Sequence, residues 1–135
     1  ALVTAATGMA ERDAALTMLG ALPDGRRITV GGDANYDTRD FVRHTREMSV
    51  TPHVTQFPET PHRGSAIDGR TTRHPGYEIS QRKRKLVEQA FGWMKTVGLL
   101  RKLHHRGGPL VAWIFTFHAA AYNLVRLRRL LAQPV

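Results

Sequence analysis

The sequence predicts an α/β fold: a short parallel strand pair, crossover helices, and two helices at the carboxyl end. Three observations predict it. Arg27–Val30 and Thr51–Gln56 are short runs bounded by turn residues, the pattern of buried strands. Between them, Thr38–Met48 places Phe41, Val42, Thr45 and Met48 on one helical face, and a strand, helix, strand succession closes as a parallel pair with a right-handed crossover. Downstream, Ile79–Lys95 and Pro109–Ala132 have the length and periodicity of helices.

Each element has its own signal. Residues 10–22 set Ala15, Met18, Leu19 and Leu22 on one helical face, and Pro23-Asp24-Gly25 then predicts a turn. The first strand ends in Gly31-Gly32-Asp33, which delivers Asp33 to its carboxyl end. Ligands of open sheets gather at that end. Asp37 is placed to cap the crossover helix, with Asp40 three residues on. Residues 57–76 hold three Pro and three Gly without periodicity, so a loop or insertion is expected there. Pro109 suits the first turn of the last helix, and Arg126, Arg128 and Arg129 suit its end. Its apolar stretch, Leu110–Val125, is interrupted by His118 and Asn123. That is shorter than the roughly 20 residues a span needs, so a buried packing helix is expected and no membrane partner.

The chain of 135 residues is 41% hydrophobic and 7% aromatic, a globular composition long enough to bury a core in one domain. It has no cysteine, which excludes disulfides and thiolate metal sites. Glu11, Arg12 and Asp13 interrupt the start, where no basic-then-apolar signal layout occurs. The formal charge of +9 is unevenly spread. Residues 1–69 carry 7 Lys/Arg against 9 Asp/Glu, or −2, while residues 70–135 carry 13 against 2, or +11. A basic half of this kind is the footprint of a phosphate-backbone or anionic-surface partner, and a solvated basic face is the bland alternative.

The basic helix concentrates the question. Arg82, Lys83, Arg84, Lys85 and Lys95 surround one acid, Glu88. At 100° per residue Arg84, Glu88 and Lys95 share one edge, opposite a stripe of Ile79, Leu86, Ala90, Trp93, Met94 and Val97. Glu88 then has two readings: an Arg84–Glu88 ion pair worth about 0.2–0.5 kcal/mol, or a metal ligand set where a polyanion will lie. The second suits two-metal phosphoryl transfer, in which paired ions roughly 3.5–4 Å apart need carboxylates from separate elements. Hard oxygen ligands suit Mg²⁺ or Mn²⁺. The adjacent His104 and His105 point in different directions, and the remaining histidines show no ligand spacing. Trp93 and Trp113 read as core residues.

Gly32-Asp33-Ala34-Asn35-Tyr36-Asp37, the run Arg82–Lys95, the R-K-x-x-H-R-G stretch at Arg101–Gly107 and the AAYNLVRLRRLL ending together resemble bacterial insertion-sequence transposases of the DDE type. The resemblance covers nearly the whole chain except residues 57–76. It implies an incomplete ribonuclease-H-like fold in which three acids bind Mg²⁺ or Mn²⁺ for DNA cleavage and strand transfer. Asp33 matches the family's second acid and Glu88 its third. Arg84 and Lys95 match the Arg and Lys flanking that Glu in the Y-R-E-K signature, while Gln81 stands in place of its Tyr. Ala34-Asn35 replaces the Lys-Gly common in the family.

In the family the first Asp lies upstream, and no residue before position 10 here can supply it. The resemblance therefore implies that residues 1–135 are the C-terminal part of a catalytic domain, with 57–76 a loop and 77–135 a basic helical part. It implies metal binding only in a complete active site, and little catalysis by this chain alone. Double-stranded DNA of transposon ends is the expected partner, held by Arg82, Arg84, Lys85, Lys95, Arg101, Lys102 and Arg106. The missing N-terminal half or another protomer is a further expected partner, in a cytoplasmic, nucleoid-associated setting. The alternative function is a non-catalytic basic DNA-binding module in which Glu88 only tunes charge. A membrane-surface role for residues 109–132 is the third reading.

Overall fold

A computed structural model describes residues 7–23, 27–60, 63–102 and 104–132. The chain falls into two compact units, one running to Lys85 and one beginning at Leu86.

In the first unit, helix α1 (Ala10–Gly20) precedes strand β1 (Ile28–Gly32), a single 3₁₀ turn at Ala34–Tyr36, helix α2 (Arg39–Glu47) and strand β2 (Val50–Val54). The two strands pair in parallel from Ile28 against Val50 to Gly32 against Val54, with α2 as the crossover. The α/β class and the parallel pair are thus as the sequence predicts, with β1 extending two residues further and β2 ending two residues earlier. The turn expected at Pro23-Asp24-Gly25 lies partly outside the described residues.

Alternation along the strands decides the core. Val50 and Val54 are buried on one sheet face, and Phe41, Val42, Val54 and Ile67 form the central cluster. Thr45 is fully buried and its hydroxyl donates to the carbonyl of Phe41 at 2.9 Å, within the helix's own hydrogen-bonding reach. The inward face predicted for α2 is therefore observed at Phe41, Val42 and Thr45, while Met48 is half-buried just past the helix end. The face predicted for α1 is not: Ala15 and Leu16 pack on the cluster, while Met18 and Leu22 are exposed. An Ala-, Met- and Leu-rich helix is apolar on several sides, so its sequence fixes its rotation poorly.

Two further expectations are corrected. Thr38, not Asp37, caps α2, its hydroxyl accepting from the Phe41 N–H at 3.3 Å. Residues 57–76 also contain more than a loop. They hold an antiparallel bridge between Thr60 and Arg63, a one-turn helix α3 (Gly69–Thr72) capped by Asp68, and the first residues of α4 (Pro75–Thr96).

Helix α4 thus starts four residues before the expected Ile79. Over residues 75–85 its attachment is polar. The Tyr77 hydroxyl donates to the Val54 carbonyl at 3.0 Å, Ser80 and His53 Nδ1 bond at 2.8 Å, and Gln81 Nε2 donates to the His53 carbonyl at 2.6 Å. The Thr55 hydroxyl donates back to Gln81 Oε1 at 2.8 Å. These residues share the edge of Arg84, so that edge faces the sheet here, whereas the sequence predicts it to be exposed. Ile79, assigned to the core stripe, is exposed.

In the second unit, the remainder of α4 and helix α5 (Gly108–Leu131) form the helical part. Met94 and Ile114 are buried, and Phe91–Phe115 and Trp93–Tyr122 ring pairs lie 6.3 and 5.6 Å apart between centroids. Gly98 follows α4, where a β-carbon would stand 2.7 Å from the Met94 carbonyl oxygen and 2.9 Å from His118. Only glycine permits that approach. Leu86, Val97, Trp113, Phe117 and Leu124 are exposed, against the expectation of a core stripe on α4, a buried α5 and a core Trp113. By length and composition α5 could also cross a membrane, contrary to the expectation that it is too short.

Candidate functional site

Asp33 follows β1 directly and has extended backbone geometry. Its Oδ1 accepts from the Asn35 N–H at 2.8 Å, capping the 3₁₀ turn. This bond fixes the carboxylate at the strand's carboxyl end, and Oδ2 has no hydrogen-bond partner among the described residues. The turn is held from behind: the Tyr36 hydroxyl donates to Glu11 Oε1 at 2.7 Å and Arg12 donates to the Asn35 carbonyl at 3.2 Å. Burial, then the bond to Glu11, push the Tyr36 phenol far above its ordinary range. The short apolar strand explains the location, because Gly32 must pass close to Val54 and Tyr36, within 3.1–3.3 Å of a would-be β-carbon.

Asp37, four residues later, does something the sequence reading missed. It is 1% exposed and accepts two backbone N–H bonds, from Phe57 at 2.6 Å and Ala66 at 2.8 Å. Its carbonyl accepts from Arg63 at 2.8 Å, and the Arg63 guanidinium lies 3.8 Å above the Phe57 ring. Asp37 therefore ties the loop after β2 to the turn after β1. A lone acid before a helix gives no signal of such distant partners.

On α4, Arg82, Lys83 and Lys85 are exposed, whereas Arg84 is half-buried beside β1, its Cβ 3.9 Å from a would-be Gly31 β-carbon. The Arg84 Nε is buried and has no acceptor among the described residues. A buried guanidinium nitrogen of this kind favours an anion brought to it. Gln81 clamps α4 to the end of β2 through the bonds given above.

In the second unit Glu88 is exposed, and the ion pairs among the described residues are Arg43–Asp40 and Arg70–Asp68. The Arg84–Glu88 pair is not among them. Lys95, Arg101 and Lys102 are brought together with His104, Gly92, Thr96 and Leu99 around an open depression of about 1120 Å³. Arg106 is exposed nearby in sequence, at the approach to α5.

Asp33 and Glu88, each in its own unit, are carboxylates, the hard oxygen donors that divalent cations such as Mg²⁺ take. Among the described residues no three His, Asp or Glu side chains assemble into a metal cluster. His53 is buried on the sheet face opposite the core. Burial lowers its pKa, opposed by a backbone hydrogen bond to Gly76 and reinforced by His74.

A family model described as a transposase DDE domain matches residues 1–124. No curated protein and no solved structure gives a significant match.

Proposed function

Because the chain belongs to the transposase DDE domain family, whose role is DNA transposition, we propose that it binds transposon-end duplex DNA and supplies Asp33 and Glu88 to a divalent-metal site for cleavage and strand transfer. The observation that carries this reading is Asp33. It stands at the carboxyl end of β1 with one carboxylate oxygen uncommitted among the described residues, and the sequence resemblance matches it to the family's second acid. When bound, Mg²⁺ or Mn²⁺ would stabilise the attacking and leaving oxygens of the phosphodiester.

The chain's own residues do the positioning. The Asn35 N–H orients Asp33. Arg82 and Lys85 present exposed charges on α4, and Lys95, Arg101 and Lys102 line one depression, with Arg106 following. Such residues hold backbone phosphates and set register without reading bases. Arg84, whose buried Nε has no acceptor among the described residues, receives an anionic group next to β1. A third acid comes from an upstream family segment or a second protomer, so the chain alone is catalytically silent.

The test is complementation. The chain is combined with a family-type upstream segment carrying the first Asp, and Mg²⁺-dependent cleavage of transposon-end duplex is measured. Cleavage is expected for the assembly and not for the chain alone. Retention of activity in both Asp33→Asn and Glu88→Gln overturns the assignment of these acids.

A further inference from the structure

The sheet face opposite the core carries a second cationic feature, built from residues that lie outside the basic half of the sequence or at its very start. Strand alternation puts Thr29, Thr51 and His53 on this face. Together with Arg27, with Arg46 from the last turn of α2, and with Arg70, Thr71 and His74 at α3 and beyond, they line an open cavity of about 490 Å³. All of it lies within the first unit.

The lining holds three guanidinium groups, two imidazoles, three hydroxyls and no acid. Asp68, just outside it, neutralises Arg70 across distances of 2.9–3.2 Å. Arg27 and Arg46 take part in no ion pair among the described residues. The Arg46 guanidinium donates to the Thr71 hydroxyl, at 3.4 Å. Residues 1–69 carry a charge of −2, so general basicity does not explain cations converging here. Like charges brought to one concave surface repel unless an anion joins them. Guanidinium forks flanked by hydroxyls provide the donors that phosphate oxygens accept.

We infer that this cavity is a phosphate-binding site, separate from the basic face of α4, which takes either a backbone phosphate of bound DNA or a free phosphate group. The DNA form of the inference rests on the DNA-binding reading above; the free form does not.

The experiment uses the full chain with labelled side chains. The ring signals of His53 and His74 and the side-chain signals of Arg82 and Lys85 are followed in two titrations, one with inorganic phosphate and one with a short duplex. Movement of the two histidines with either titrant, weakened roughly three- to fivefold by Arg27→Gln or by Arg46→Gln, is the expected result, the size an exposed charge pair supplies. Movement with duplex alone assigns the site to DNA. In that case a variant combining Arg27→Gln and Arg46→Gln also lowers the slope of log affinity against log salt by about 0.9 for each phosphate that is no longer neutralised. Movement with phosphate but no duplex binding keeps the site and removes the DNA-binding reading. Duplex moving Arg82 and Lys85 while His53 and His74 stay still under both titrants overturns the inference and leaves DNA binding intact. Histidine titrations whose midpoints are unchanged in both Gln variants also overturn it.

Discussion

Replacing Asp37 by Ala should come close to unfolding the first unit, although no site role is assigned to that acid. Its carboxylate is buried and accepts two N–H bonds, at 2.6 and 2.8 Å. Hydrogen bonds to a charged group contribute about 1.5–3 kcal/mol each, and unpartnered buried donors carry their own desolvation cost. Non-additivity within one side chain brings the expected loss to about 3–5 kcal/mol, out of the roughly 5–15 kcal/mol that holds a domain together. Asp37→Asn keeps one acceptor and sets an NH₂ group against the other N–H, so about half the loss or more should persist. Asp33→Asn provides the contrast, because an Asn oxygen can still accept from Asn35, and a change below about 1 kcal/mol is expected. Urea denaturation of the three variants measures the order, and hydrogen exchange at the Phe57 and Ala66 amides locates it. If Asp37→Ala lies within about 1 kcal/mol of the parent, the staple between the two loops is not what the geometry indicates.

Two other outcomes follow from single residues. His53 has a folded-state pKa lowered by burial from 6.5, so the unfolded chain binds its proton first. Stability should be full above about pH 6.5 and fall as pH drops through the unfolded value toward the lowered one, with a flatter urea-midpoint profile in His53→Gln. A β-carbon added at Gly98 meets the backbone oxygen of Met94 at 2.7 Å, which cannot rotate away. Gly98→Ala should cost about 1–3 kcal/mol and weaken the near-ultraviolet signal of the Trp93–Tyr122 pair.

The sequence made the architecture legible where a hydrophobic period was strong. Phe41, Val42 and Thr45 recur on one face of a short helix, and that face is buried. The parallel pair followed from the order of elements. Periodicity fails where packing is polar or apolarity is unphased. Tyr77, Ser80 and Gln81 attach α4 by hydrogen bonds, to which a count of apolar residues is blind, so periodicity gives the sheet-facing edge to solvent. Helix α5 is apolar nearly all round, and nothing local says that Trp113 and Phe117 are exposed while Ile114 is buried. Asp37 shows the limit of local capping rules: its sequence neighbours suggest a helix cap, while its partners are 20 and 29 residues away. Asp33 was legible because a Gly-Gly-Asp ending to a strand marks one end of the sheet. The cationic cavity was not, since Arg27, Arg46 and Arg70 meet only through the fold.

Whether Asp33 and Glu88 hold one metal site is tested most directly by paramagnetic broadening in the assembled state. The labelled chain is combined with an upstream family segment and transposon-end duplex, and substoichiometric Mn²⁺ is added. Selective loss of the amide signals around both Asp33 and Glu88, abolished by Asp33→Asn, is the predicted result. Signals around both residues that persist, or that vanish equally in Asp33→Asn and Glu88→Gln, would contradict it.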